Sequence, residues 1–262
     1  VIEIRAPELP PELQGMLDEK QAKIDAIPDF AARVEAAALA WENRSRERFR
    51  PIRDVLAGVC SGEDRCMYCE DSAGDEIEHV RPKSLYPGHT FRFPNYLLIC
   101  GPCNGPKNNR FGVLSKARRA FVEVARPRGA PVVPPDDGRM MLIDPRREDP
   151  MRYLILDLAF PFHFHPIHAR GCLARARAAY TIEVLGLNRR EKLVLRRQAA
   201  FGNYVARLKE YVAERDPAVR ERCRHALLRL DHPTVWREMQ RQHLRIPELL
   251  ALFEAAPEAL GW

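Results

Sequence analysis

Four of the seven cysteines fall into two close pairs, Cys66-Met67-Tyr68-Cys69 and Cys100-Gly101-Pro102-Cys103. Random placement would give roughly 0.2 such pairs, so the spacing carries information. Two knuckles of this kind offer four thiolates, the donor set of a tetrahedral structural zinc with no open coordination position. Cys60 is the alternative fourth ligand; otherwise it is expected, like Cys172 and Cys223, as a reduced, partly buried thiol in a helix. The thirty residues between the knuckles contain Glu78-His79 and then Asn95, while Asn104 follows the last cysteine and Lys107 comes three residues later. Phosphodiester hydrolysis needs an activated water, a cation to absorb charge on the phosphate, and basic groups to hold the backbone. His79 suits the base, since an ordinary imidazole is mostly neutral at cellular pH. Glu78 is a hard oxygen ligand for Mg²⁺ or Mn²⁺, and the Asn104 amide carbonyl supplies a second. Asn95 is the expected brace, its amide bonding loop backbone so that the imidazole is aimed. Asp75 is an alternative carboxylate ligand, and Asn104 also suits a helix cap.

This order of Cys-x-x-Cys, Glu78-His79, Asn95, Cys-x-x-Cys-Asn104 and Lys107 resembles the HNH endonucleases of the ββα-metal (His-Me finger) group. The resemblance makes His79 the general base, Asn95 the middle, loop-bracing asparagine and Asn104 the metal-binding third position. Glu78 falls on the metal-binding carboxylate, a place more often held by aspartate. Residues 77–83 with Cys103-Asn104 and Lys107 look most like the PtuB family, the nuclease subunits of Septu anti-phage systems. Leu142-Ile143-Asp144-Pro145 and residues 181–188 look like segments of that family's C-terminal half, so the resemblance covers about residues 60 to 200. It implies a defence role and a partner, an ATPase subunit of the PtuA type that holds the nuclease in check.

The elements expected to position these groups are α+β: a mostly helical protein with a central zinc-stapled ββα-metal unit. Residues 1–59 read as an N-terminal helical segment, with helices over 11–26 and 28–48, a break at Pro51 and a short helix to Val59. Residues 60–125 form the nuclease core, 126–140 a proline-rich linker and 141–262 a mainly helical domain. Short β-like runs are expected at 140–143 and 153–158. Beyond them Gly186 ends a helix, Asn188 with Glu191 suggests a capping box, and Asp216 caps another helix. Leu249, Leu250, Leu252 and Phe253 are expected in the core.

Between Asn104 and Arg128 seven cations face a single acid, Glu123. Read as a basic helix starting at the metal site, this run places Lys107, Arg110 and Lys116 against phosphate, with Arg81 and Lys83 beside His79 serving the same groove. His163, His165 and His168 have no adjoining carboxylate or cysteine and are expected at a polar strand edge or partner surface. The chain has 46% apolar and 30% charged residues and a net charge of +6, which excludes a mainly disordered protein. Its longest apolar run is six residues, against about 20 for a bilayer span, and the first thirty residues show no signal-peptide pattern. A soluble, cytoplasmic enzyme is expected. DNA is the favoured substrate, though no residue separates it from RNA such as a tRNA. The rival readings are a non-cleaving zinc-knuckle binding module and a subunit active only in its complex.

Overall fold

The computed structural model of the chain describes residues 1–5, 7–62 and 64–262. After an arm without regular structure come three helices, α1 (Pro11–Asp25), α2 (Phe30–Glu42) and α3 (Arg46–Ala57). Asp29 and Ser45 cap α2 and α3, each side chain accepting a backbone N–H three residues on. Pro51, expected from the sequence to break the helical run, instead lies inside α3. The Ser45 cap and the burial of Phe49, Ile52 and Leu56 outweigh the lost proline hydrogen bond.

Strand β1 (Glu76–His79) pairs antiparallel with β2 (Tyr96–Ile99), setting Glu78 opposite Leu97 and His79 opposite Tyr96. Helix α4 (Gly101–Lys107) follows at once and packs on β1. The order strand, strand, helix therefore occupies the stretch around the two knuckles. The expected basic helix is corrected: α4 ends at Lys107, and the cations beyond it lie in the segments before, between and after β3 (Phe111–Ser115) and β4 (Phe121–Val124). Valine and phenylalanine on β3 and β4 favour a pleated hairpin over a helix.

The proline-rich stretch ends in a strand, β5 (Gly138–Met140), which pairs with β3. Strands β6 (Leu154–Leu156) and β7 (Phe164–Pro166) form a second hairpin, and helices α5 (Leu173–Val184), α6 (Glu191–Ala213), α7 (Pro217–Leu228), α8 (Pro233–Gln242) and α9 (Pro247–Ala255) complete the fold. The fold class is α+β, with about half the residues helical. Asp216 caps α7, and Leu249, Leu252 and Phe253 are buried, as the sequence indicates. Asn188 is not a helix cap: its amide donates to and accepts from the backbone of Phe164, tying the α5–α6 turn to β7. Cys172, expected partly buried, is exposed at the start of α5. His165 points outward on β7, and His168 bonds the Arg152 carbonyl.

The four sequence segments do not separate in space, because one buried apolar cluster runs from the N-terminal arm through both knuckles to Ala259. The two C-terminal stretches singled out in the sequence meet within it, where Ile143 N–H donates to Thr181 Oγ1 at 3.0 Å. Arg146 reaches back to donate to the carbonyls of Phe93 and Tyr96, so the C-terminal half steadies β2 directly. No helix among the described residues is long and apolar enough to cross a membrane.

Candidate active site and metal centre

The four knuckle cysteines are buried, and their sulfurs lie within 4.8 Å of one another. The first knuckle is fixed to β2 by Met67 N–H donating to Leu98 O at 3.0 Å, and the second begins α4. Four thiolates at this spacing can hold a structural ion such as zinc. The surroundings fit it. Arg190 donates to Cys103 Sγ at 3.2 Å, and the 2% exposed guanidinium of Arg197 has both terminal nitrogens without a hydrogen-bond partner among the described residues. A dication on four thiolates leaves two negative charges, which half-buried Arg190 and buried Arg197 would help to balance.

His79 is 4% exposed, yet it lines a groove of about 870 Å³ that runs between β1 and the α2–α3 corner. Its ring packs edge-on against Trp41 and Tyr96. Nε2 lies 2.9 Å from the Thr90 carbonyl, which can only accept, so Nε2 carries the proton and Nδ1 keeps the lone pair. The Tyr96 hydroxyl donates to the same carbonyl at 2.7 Å. Thr90 is held by a residue that no motif marks: Gln21 on α1, fully buried, donates to Pro87 O and accepts from Phe91 N–H at 2.8 Å.

Asn95 spans the loop between β1 and β2. Its Oδ1 accepts from Arg81 N–H at 2.8 Å, and Nδ2 donates to the carbonyls of Arg81 and His89. All three bonds are to backbone flanking the imidazole and its Thr90 partner. Substituting Asn95 with leucine leaves three backbone groups without partners in a largely buried loop. The expected result is a loss of about 2–4 kcal/mol in urea unfolding.

Burial pushes the His79 ring down to about 3, and the charges of Lys83, Lys107 and Arg44 act in the same direction against the pull of the Thr90 carbonyl. The ring is therefore neutral in the folded protein throughout the physiological range. Below pH 6.5 the unfolded chain takes up a proton here and the folded chain does not, so this group's contribution is present above pH 6.5 and falls with pH down to about 3. The slope is about 1.4 kcal/mol per pH unit. Comparing unfolding free energies of the parent and His79→Gln at pH 7 and pH 5.5 is expected to show a steeper acid loss in the parent.

Glu78 and Asn104 both line the groove, but neither bonds the other. Asn104 donates to Glu76, one pleat before Glu78 on the same strand face, while Glu78 takes the ammonium of Lys107. Glu76 was missed by the sequence reading, although its alternation with Glu78 on β1 was a visible signal. Asp75 is exposed at the groove edge.

The expected backbone-binding cations are corrected most. Lys107 is fully buried, paired with Glu78 and donating to His79 O at 3.0 Å, so it serves the strand and is closed to phosphate. Arg81 is half-buried with its guanidinium over the rings of Tyr86 and Phe111. Arg110 pairs with Glu123 and Glu183, and Lys116 with Asp137. Only Lys83 of the five lines the groove. The opposite wall is instead supplied by Arg44, Arg46, Arg50 and Arg53 from the α2–α3 corner.

No family model, curated protein or solved structure matches this chain.

Proposed function

We propose that the groove is the active site of a metal-dependent HNH-type endonuclease. The observation that carries this reading is the imidazole of His79, fixed in one tautomer by the Thr90 carbonyl and held neutral in a groove lined by hard oxygen donors. The succession β1, β2, α4 and the Asn95 brace fit the same reading. Glu78, Asn104 and Glu76 are the residues that would hold a divalent cation, and their oxygen donors suit Mg²⁺ or Mn²⁺. Such an ion supplies charge stabilisation at the phosphate and departing oxygen.

The chain's own residues then have distinct tasks. Nδ1 of His79 takes a proton from water as the water oxygen forms a bond to phosphorus and the bond to the 3′ oxygen breaks. The departing 3′ oxygen takes a proton from solvent water, so that a 5′ phosphate and a 3′ hydroxyl result, the ends the family resemblance implies. Nε2–H stays on the Thr90 carbonyl and keeps the ring aimed. Lys107 holds Glu78 in place from behind the strand. Four sulfurs leave a zinc ion no open position, so the knuckles act by closing the ends of the insert.

DNA is the proposed substrate and, by the same resemblance, an anti-phage complex with an ATPase of the PtuA type the proposed setting. The test is nicking of supercoiled plasmid by the full chain with Mg²⁺ or Mn²⁺, alone and with such a partner, beside a structured RNA. Metal-dependent cleavage removed by Glu78→Ala supports the reading. DNA affinity that survives both Glu78→Ala and chelation, with no cleavage in either setting, identifies a binding module instead.

A further inference from the structure

The basic residues facing β1 across the groove follow a pattern. Arg46, Arg50 and Arg53 recur at intervals of four and three, which puts all three on one stripe of α3. The adjacent stripe, Phe49, Ile52 and Leu56, is buried, so the helix cannot turn its arginines elsewhere without exposing its core face. Arg44 precedes them, its guanidinium 3.9 Å from the centre of the Trp41 ring that also packs on His79.

None of these four guanidiniums forms an ion pair with a carboxylate among the described residues; Arg44 donates to Trp41 O and Arg53 to Gly74 O. That sets them apart from Arg110 and Lys116, whose charge is already met by acids of this chain. The groove is not uniformly basic. Asp75, Glu76 and Glu78 gather on the β1 side, and Glu47 and Asp54 also reach it from α3. Three acids thus gather at the imidazole, while on the opposite wall the four arginines outnumber Glu47 and Asp54.

We infer that the arginine stripe of α3, with Arg44, is a binding wall for a phosphodiester backbone, so that a strand lies between α3 and β1 with one phosphate at His79. This rests on the nuclease reading for its register and on the unpaired arginines for its chemistry. From Arg46 to Arg53 is about 10 Å along the helix, which at 3.4 Å of axis per phosphate spans about three phosphates of one strand. Guanidinium pairs with phosphate oxygens through two parallel N–H donors, so each arginine has capacity for one phosphate.

The experiment measures binding, not cleavage. A fluorescent DNA duplex and an RNA of equal length are titrated into the full-length His79→Ala chain, which retains the wall but lacks the base. Arg46→Gln, Arg50→Gln and Arg53→Gln together are expected to weaken binding of the favoured polymer at least tenfold. They are also expected to reduce the slope of log K against log salt by about 2 to 3, since each lost phosphate contact removes about 0.9 on duplex DNA and 0.7 on a single strand. Lys116→Gln, in the β3–β4 connection outside the groove, is expected to change neither. Arg50 is exposed on the groove wall, away from the buried stripe of α3, so Arg50→Glu provides a single change outside the core and is expected to weaken binding severalfold. Unaltered affinity and salt slope in the triple variant, or in Arg50→Glu where the triple does not fold, overturn the wall. Strong, arginine-dependent binding in a parent chain that never cleaves leaves the wall standing and removes the nuclease reading.

Discussion

Replacement of His79 by alanine is expected to lower cleavage by about 10²–10⁴-fold, the usual contribution of a positioned general base. On the proposed reading DNA binding should stay close to that of the parent, because the ring would act on the reacting water while the α3 wall would hold the strand. The geometry makes the expectation specific. A carbonyl cannot donate, so the 2.9 Å contact to Thr90 leaves only Nδ1 able to accept a proton. Burial keeps the ring unprotonated at neutral pH, so its free lone pair is available to accept a proton. The ring also packs between Trp41 and Tyr96, and its removal opens a cavity. Rates should therefore be compared at a temperature where thermal denaturation shows both proteins folded. Cleavage by His79→Ala at the parental rate would remove the imidazole from the mechanism.

Withdrawal of the knuckle metal is expected to have the largest effect on stability. An ion present at a thousandfold excess over its Kd contributes about 4 kcal/mol to the folded state. For a chain of this size that corresponds to a fall of about 8–16 °C in Tm when a strong chelator removes it. Cys69→Ser or Cys103→Ser should reproduce the fall without chelator. The loss should reach well beyond the knuckles, because Arg190 and Arg197 would keep their charge in the interior after the thiolate centre is neutralised. Zinc content well below one per chain in purified protein, or a Tm indifferent to chelation, would contradict a metal-stapled insert.

The parts of the site that were legible in sequence are the local ones. The two knuckles announce their chemistry through donor type and spacing, and Glu78-His79 stands out between them as an adjacent acid and imidazole. Asn95 lies within the same short insert, and its three bonds stay inside the loop it closes. Pro51 misled the reading of α3, since a proline costs a helix a hydrogen bond but cannot report the buried face that compensates for it. That one residue also hid the arginine stripe, whose spacing is apparent only once residues 46–57 are a single helix.

Charge was legible as composition and illegible as function. The cations between Asn104 and Arg128 look available in the sequence, yet Arg110 meets Glu183 from 73 residues away and Lys107 is sealed behind β1. The sequence alone determined which atoms the site has to work with: sulfur donors in pairs, one imidazole beside one carboxylate, and amides around them. The tertiary structure decided which charges remain unpaired, which carbonyl selects the imidazole tautomer, and that Gln21 on a remote helix holds that carbonyl still. Donor identity is a property of each residue, whereas exposure and pairing depend on neighbours that only long-range packing brings within reach.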